Sequence, residues 1–239
     1  CRFEREWKGE AFNLVSWACW LVAGICVAQI PTFFAQFTAA TILGVANTIG
    51  GWLSHDYVHG RGKFADIMRP FGYICGGMSC KWWSEKHNKH HARTNEVGID
   101  EDIATDPALF LWAPDPKNDA PWRKWQGHYL PAPMSLLFLI WRFDSIKVAI
   151  ENKDWKEVSG LAAHYAFMLS FVPAATFFGA MLISGFMTAI ITTVETRPSR
   201  RRFSPPERRG PTRWVHLALT PPPPLAARAG DAPVGGALL

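Results

Sequence analysis

At 239 residues the chain has room for one sizeable domain, or for one domain and a tail. Its net charge of +5 sits wholly in residues 195–239, where eight arginines face Glu195, Glu207 and Asp231; residues 1–194 balance seventeen basic against seventeen acidic side chains, which excludes a basic nucleic-acid-binding body. Five cysteines without a CxxC exclude a disulfide framework and read as reduced packing thiols.

Arg2–Glu10 is polar and opens on Cys rather than Met, so the chain is expected to begin mid-protein. Residues 11–30 and 32–54 are free of charge, and each reaches the ~20 residues needed to cross a bilayer core. A secretory signal would be shorter, with a charged start and a small-residue cleavage site. Little more than Pro31 separates the two spans, which predicts a tight helical hairpin. Arg2, Arg5 and Lys8 flank one end, and Arg61, Lys63 and Arg69 the other. Both flanks then lie on one side of the membrane, and the positive-inside rule makes that side cytosolic.

The first histidine group, His55-Asp56-Tyr57-Val58-His59, emerges there. Residues 70–80 are apolar but far too short to span, and they predict a re-entrant or surface-lying element. The second group, His87-Asn88-Lys89-His90-His91, follows in polar sequence. On helices the two groups place imidazoles at i, i+4 and at i, i+3, i+4, each set on one face and able to converge on a metal. Five clustered histidines exceed the four ligands of a tetrahedral zinc, so a multi-histidine iron centre fits better. HDxxH alone also matches a zinc-protease helix with Asp for Glu, but the second group and the membrane setting argue against that. Metal chemistry on a lipid is the expectation.

Residues 92–130 are mostly polar, with Pro107, Pro114 and Pro116 breaking any long helix. Met134–Ile150 is apolar and aromatic but carries Arg142, Asp144 and Lys147, and reads as an interfacial helix. His128 and His164 are lone histidines, expected to be hydrogen-bonded interface residues. Gly50-Gly51 and Gly76-Gly77 suit either an acyl tunnel or close packing and turns. The uncharged block Leu161–Val194 has length for one span and part of another, so the last span is expected to be incomplete. Residues 195–239 read as an Arg/Pro/Ala/Gly-rich disordered tail. An out-of-frame, GC-rich translation accounts for that composition; binding of anionic lipid by its arginines is the alternative.

With the boxes placed beside a hairpin of spans, the chain resembles the membrane histidine-box fatty acid desaturases. The likeness is greatest to the front-end group and its algal Δ6 acyl-CoA desaturases. GGWLSHDYVHGRG (50–62), FGYICGGMSCKWWSEKHNKHHARTNEVGIDEDIATDP (71–107), LLFLIWRFDSI (136–146) and ISGFMTAIITTV (183–194) carry it, over residues 1–194. The resemblance implies an all-α integral membrane fold: four spans, the last incomplete here, under a cytosolic histidine-rich cap with two irons. His55, His59, His87, His90 and His91 would be metal ligands. Asp56, Asp100, Asp102 and Asp106 are candidates to fix the ring tautomers, because the acidic run could fold back onto the second box; a solvated loop is the alternative. The implied chemistry is an O₂-dependent double bond, Δ6-like, in a fatty acyl-CoA or acyl-lipid during polyunsaturated fatty acid synthesis. Electrons would come from cytochrome b5 and its reductase, in trans or through a fused domain, at the endoplasmic reticulum.

Two family features are missing from the sequence. After the position of Val194 the family continues with Thr-His-Gln and later Gln-x-x-His-His, whereas this chain reads Glu195-Thr196-Arg197 and has only His216 beyond. It also lacks the His-Pro-Gly-Gly haem motif of an N-terminal cytochrome b5 domain. Residues 1–194 are therefore expected to be a desaturase fragment whose C-terminus was lost to a frame shift, retained intron or faulty gene model, and the chain as written to be inactive. A lipid hydroxylase on the same scaffold and a truncated, non-catalytic homologue are the alternatives.

Overall fold

The structure, a computed structural model, describes residues 7–94, 96, 98–102, 108–109 and 119–195. Among these residues all regular structure is helical. The predicted tail, His216, Asp106, Pro107, Pro114 and Pro116 lie outside them.

Helices α1 (Trp7–Ala28) and α2 (Phe33–His59) form the predicted hairpin. They run antiparallel: Gly24 lies against Leu43, and Gly50 against the Trp17 indole. Thr32 caps α2, its Oγ1 accepting from the Ala35 N–H at 3.3 Å. The α2 helix does not stop at residue 54. Nothing in His55–His59 breaks a helix, so the first box forms its last turn, closed by the Gly60 N–H donating to the Asp56 carbonyl at 2.8 Å.

Short α3 (Lys63–Met68) and α4 (Phe71–Ile74) lead to α5 (Cys80–Ala92), the helix of the second box. A 3₁₀ turn (Pro121–Trp125) and α6 (Gln126–Tyr129) precede α7 (Pro131–Glu151), α8 (Trp155–Phe171) and α9 (Ala174–Glu195). Among the described residues three helices are long and apolar enough to cross a membrane: α1, α2 and residues 174–191 of α9. This changes the reading of the last apolar block. Val172 is held extended ahead of Pro173, as residues before proline prefer, and the helix breaks there. The last helix therefore has full spanning length, and α8, with 17 residues, is the short one.

The α7 helix, read as interfacial, is not among the candidate spans, but its arginine is buried. One stripe of it, Met134, Phe138, Arg142, Ser145 and Ala149, is buried, while Ile140, Phe143 and Ile150 are exposed. Arg142 is buried because its guanidinium serves the 70–80 segment. Its Nη1 donates to the carbonyls of Gly76 and Gly77 at 2.9 and 3.2 Å, and the Tyr165 hydroxyl also donates to Gly77 O, at 2.9 Å. His164 donates from Nδ1 to Ile74 O at 3.1 Å, the hydrogen-bonded interface role expected of it. Backbone carbonyls that an irregular segment would leave unpaired are thereby satisfied. Gly77 sits at φ +67°, and a methyl there would lie 2.5 Å from His164 Nε2 and 2.6 Å from Arg142 Nη1. Gly77→Ala combines left-handed strain with overpacking and is expected to cost about 3 kcal/mol, seen as a lowered thermal midpoint in detergent.

The α5 N-terminus is anchored by two other helices. Ser79 Oγ accepts from the Trp82 N–H at 3.0 Å and donates to Glu157 of α8; the Ser79 N–H donates to Ser145 of α7. The other Glu157 oxygen accepts from the Lys81 N–H at 3.1 Å. A carboxylate at a helix N-terminus also meets the positive end of the helix dipole. This network fixes where the second box points.

The α2 and α9 helices lie side by side and parallel. Ala40 Cβ lies 3.4 Å from where a side chain on Gly179 would begin, Gly44 packs on Ala180 and Ile183, and the Thr48 and Ser184 hydroxyls meet at 3.2 Å. At the end remote from the histidines, Gln36 Nε2 donates to the Ala28 and Ile30 carbonyls, and its oxygen accepts from Thr176. Gln29 donates to Phe171 O at 2.7 Å, lacing the α1–α2 turn to the α8–α9 turn.

Candidate metal centre

Because α2 runs on through His59 and α5 packs beside its end, four histidines from the two boxes converge. The ligating nitrogens of His55, His59, His87 and His91 lie within 4.8 Å of one another. His55 Nε2 and His87 Nε2 are 3.1 Å apart. His90, the fifth box histidine, stacks on His87 at 5.2 Å between ring centroids, but its Nδ1 faces a second group with Asp100 and Asp102.

Carboxylates set the tautomers. His87 Nδ1 donates to Asp102 at 2.7 Å, His90 Nδ1 to Asp100 at 2.8 Å, and His55 Nδ1 to Asp56 at 3.1 Å. A carboxylate only accepts, so each Nδ1 carries the proton and each Nε2 presents a lone pair. The acidic run does fold back onto the second box, and the Asp102 N–H donates to Asp100 at 3.0 Å to fix the turn. Asp100 is fully buried and Asp102 nearly so, whereas Asp56 stays exposed on the first box.

Burial alone would raise the Asp102 carboxyl, but the His87 hydrogen bond and the Lys86 ammonium outweigh it and hold Asp102 at about 2. Burial, with the neighbouring His87, His55 and His90 rings, pushes His91 below the ordinary histidine value. It stays neutral, the form that ligates metals.

The donor set suits an imidazole-binding metal on two grounds. With the Nδ1 of each ring hydrogen-bonded to a carboxylate, the Nε2 atoms of His55 and His87 face each other at 3.1 Å, close enough to share one cation. The His59 Nε2 is buried and has no hydrogen-bond partner among the described residues, an orphan that a metal would satisfy.

Sequence reasoning passed over three supporting residues. Trp83 stacks on His87 with centroids 4.5 Å apart, and it is one helical turn earlier in α5, so the spacing could have shown it. Lys86 pairs with Asp102, and Glu157 holds the α5 N-terminus; neither gave a local signal.

These features define a class: a helical membrane protein with a polyhistidine cluster at one end of a spanning hairpin. The fatty acid desaturase family model matches residues 31–220. The chain belongs to the fatty acid desaturase family. The match begins at the hairpin turn and runs past Val194, into residues set apart above as a tail. Among curated proteins the chain is similar to the Acyl-lipid 8-desaturase of Rebecca salina, 34% identical over 132 residues, or 49% of this chain and 31% of that protein. It is 30% identical over 197 residues to the Delta(8)-fatty-acid desaturase of Euglena gracilis, covering 71% of this chain and 47% of the relative. The Delta(6)-fatty-acid desaturase fat-3 of Caenorhabditis elegans is 28% identical over 214 residues, covering 72% and 48%. The chain thus spans about half the length of these relatives, or less. No solved structure matches it.

Proposed function

We propose that this chain forms part of a front-end fatty acyl desaturase with a non-haem di-iron centre, acting on an acyl-CoA or acyl-lipid with Δ6-like regiochemistry. The observation that carries the reading is the pair of Nε2 lone pairs facing each other at 3.1 Å, each imposed by a carboxylate on the far side of its ring. The family and the Delta(8) and Delta(6) relatives support the substrate class.

In this reading His55, His59, His87 and His91 hold one ion, and His90, its Nδ1 tied to Asp100, offers Nε2 toward a second. Bound there, ferrous iron supplies electrons and the place where O₂ is reduced while two C–H bonds break. The net reaction consumes O₂, two electrons and two protons, takes two hydrogens from adjacent methylenes and releases two waters. Asp102 and Asp100 hold the rings in the donating tautomer, Lys86 keeps Asp102 charged, and Trp83 fixes the His87 plane. Cytochrome b5 and its reductase are the electron source we assign. The histidine end faces the cytosol, at the endoplasmic reticulum, supported by Arg61, Lys63 and Arg69 beside it.

The test is metal analysis of the purified full chain, with lipid products identified after expression in a host fed fatty acids. Iron together with a new double bond supports the reading. An inserted oxygen points to a hydroxylase. Iron-free protein with no product, after anaerobic ferrous loading, overturns it and leaves a non-catalytic homologue. Asp102→Asn removes the charge that orients His87 and is expected to weaken iron binding by about 10- to 100-fold, read by competition with a chelator.

A further inference from the structure

Trp83, stacked on His87 with centroids 4.5 Å apart, has further indoles beside it: Trp141 at 5.5 Å and Trp82 at 6.0 Å. Trp82 and Trp141 close the triangle at 6.3 Å. Two helices dictate this meeting. Ser79 of α5 is pinned to Ser145 of α7, and the two helices run antiparallel from that contact, so one turn along each brings Trp83 to Trp141.

The rings therefore form a line away from the histidines. Trp82 is buried, at 8% exposure, whereas Trp141 is only half-buried and lies beside the polar cap, with the Lys86 ammonium 5.1 Å from its ring centroid. A cation over an indole face opposes loss of an electron from it, but the Lys86 charge is offset by its pairing with Asp102. Trp52 also touches a box histidine, His55 at 5.9 Å, yet leads to no second indole among the described residues. Indole gives up an electron more readily than imidazole, and rings at these spacings are in direct contact.

We propose that Trp83 and Trp141 are an electron relay that discharges the metal centre when O₂ is reduced there with no acyl chain bound, and that the outside reductant is a small water-soluble thiol. This rests on the metal-centre reading above. Productive turnover takes two electrons from a donor and two from C–H bonds. Without a substrate the second pair is missing, and an oxidant is left beside His87. Trp83 fills that deficit one electron at a time, Trp141 refills Trp83, and a thiol refills Trp141. Two S–H bonds break and one S–S bond forms, which supplies the two electrons and two protons that the methylenes would have given. O₂ still ends as two waters, and both indoles are unchanged. Without the relay the nearest groups to oxidise are the ligand imidazoles themselves.

The experiment uses the full chain in nanodiscs, loaded anaerobically with ferrous iron and given hydrogen peroxide without acyl substrate, with and without glutathione. Peroxide brings the oxidising equivalents directly, so the readout does not depend on desaturation. Oxidised residues are mapped by peptide mass spectrometry, and freeze-quenched samples are read for a tryptophan radical by electron paramagnetic resonance. Oxidation is expected at Trp83 and Trp141, and it should vanish with glutathione present as the disulfide accumulates. Trp83→Phe should remove the oxidation at Trp141. Trp141→Phe should move it to Trp83 and His87 and abolish the glutathione protection, with iron content unchanged. Trp141→Tyr, whose ring can also be oxidised, should restore that protection, a gain that a misfolded variant would not give. Trp52→Phe should alter neither. Oxidation that follows exposure, reaching Trp122, Trp125 and Trp155 before Trp141, reports diffusing radicals and overturns the proposal. Oxidation of Trp141 that persists in Trp83→Phe overturns it as well. Both of these results come with iron retained; a chain that retains none overturns the metal-centre reading, and this proposal with it.

Discussion

On the desaturase reading proposed above, His87→Ala is expected to abolish both metal binding and double-bond formation. This ring sits at the middle of the cluster, with centroids 5.0 Å from His55, 5.3 Å from His59 and 4.6 Å from His91. Its Nδ1 is anchored on Asp102, and its plane is stacked on Trp83, so it is the most rigidly placed of the five. Removing an oriented ligand costs more than removing its outer partner, so the loss of iron affinity should exceed the roughly 10- to 100-fold of Asp102→Asn. The ring is partly exposed at the end of the bundle and contributes little to the buried core, so helix content and thermal midpoint should stay near wild type. Iron by elemental analysis and product by gas chromatography check the result. An alanine variant that keeps stoichiometric iron would remove His87 from the ligand set.

Glu157→Ala is expected to cost both stability and iron. The carboxylate is buried and takes hydrogen bonds from the Ser79 hydroxyl and the Lys81 N–H at the start of α5. Truncation leaves both donors unpaired and removes a negative charge from the positive end of that helix. Together these should cost about 3 kcal/mol. Because α5 carries His87, His90 and His91, the variant should lose iron as well as stability, although Glu157 contacts none of them in the hydrogen-bond network. Glu157→Gln keeps an acceptor oxygen and should recover part of both. A thermal melt paired with iron content separates this outcome from a purely local effect, which would lower stability and leave iron unchanged.

The histidine cluster was legible because its information is local: spacings of three and four residues put the rings on one helical face wherever that helix lies. The hairpin was legible for the same reason, since two uncharged blocks around Pro31 leave few other folds. The burial of Arg142 is not legible in sequence, because a charge in an apolar run looks like a surface mark and the carbonyls that offset its burial cost belong to Gly76 and Gly77, some 65 residues earlier. The last apolar block was misjudged by counting from Leu161. Its helix starts at Trp155, before the uncharged stretch begins, and the break comes at Pro173. For the acidic run, fold-back and a solvated loop were both open in the sequence. The choice depended on His87 and His90 lying within reach of Asp102 and Asp100, which only tertiary packing decides.

The pair of imidazole lone pairs held face to face has a consequence for the protein's life in a cell. Such a cluster attracts any ion that favours nitrogen, and among divalent first-row metals zinc and copper bind nitrogen sites more tightly than ferrous iron. Preorganisation by Asp102 and Asp56 strengthens that attraction without selecting among ions. On the metal-centre reading proposed above, supply at the time of folding would decide which metal fills the site. On that reading a zinc-filled copy would be well folded and redox-silent, and zinc excess would inhibit desaturation while leaving the protein's abundance untouched.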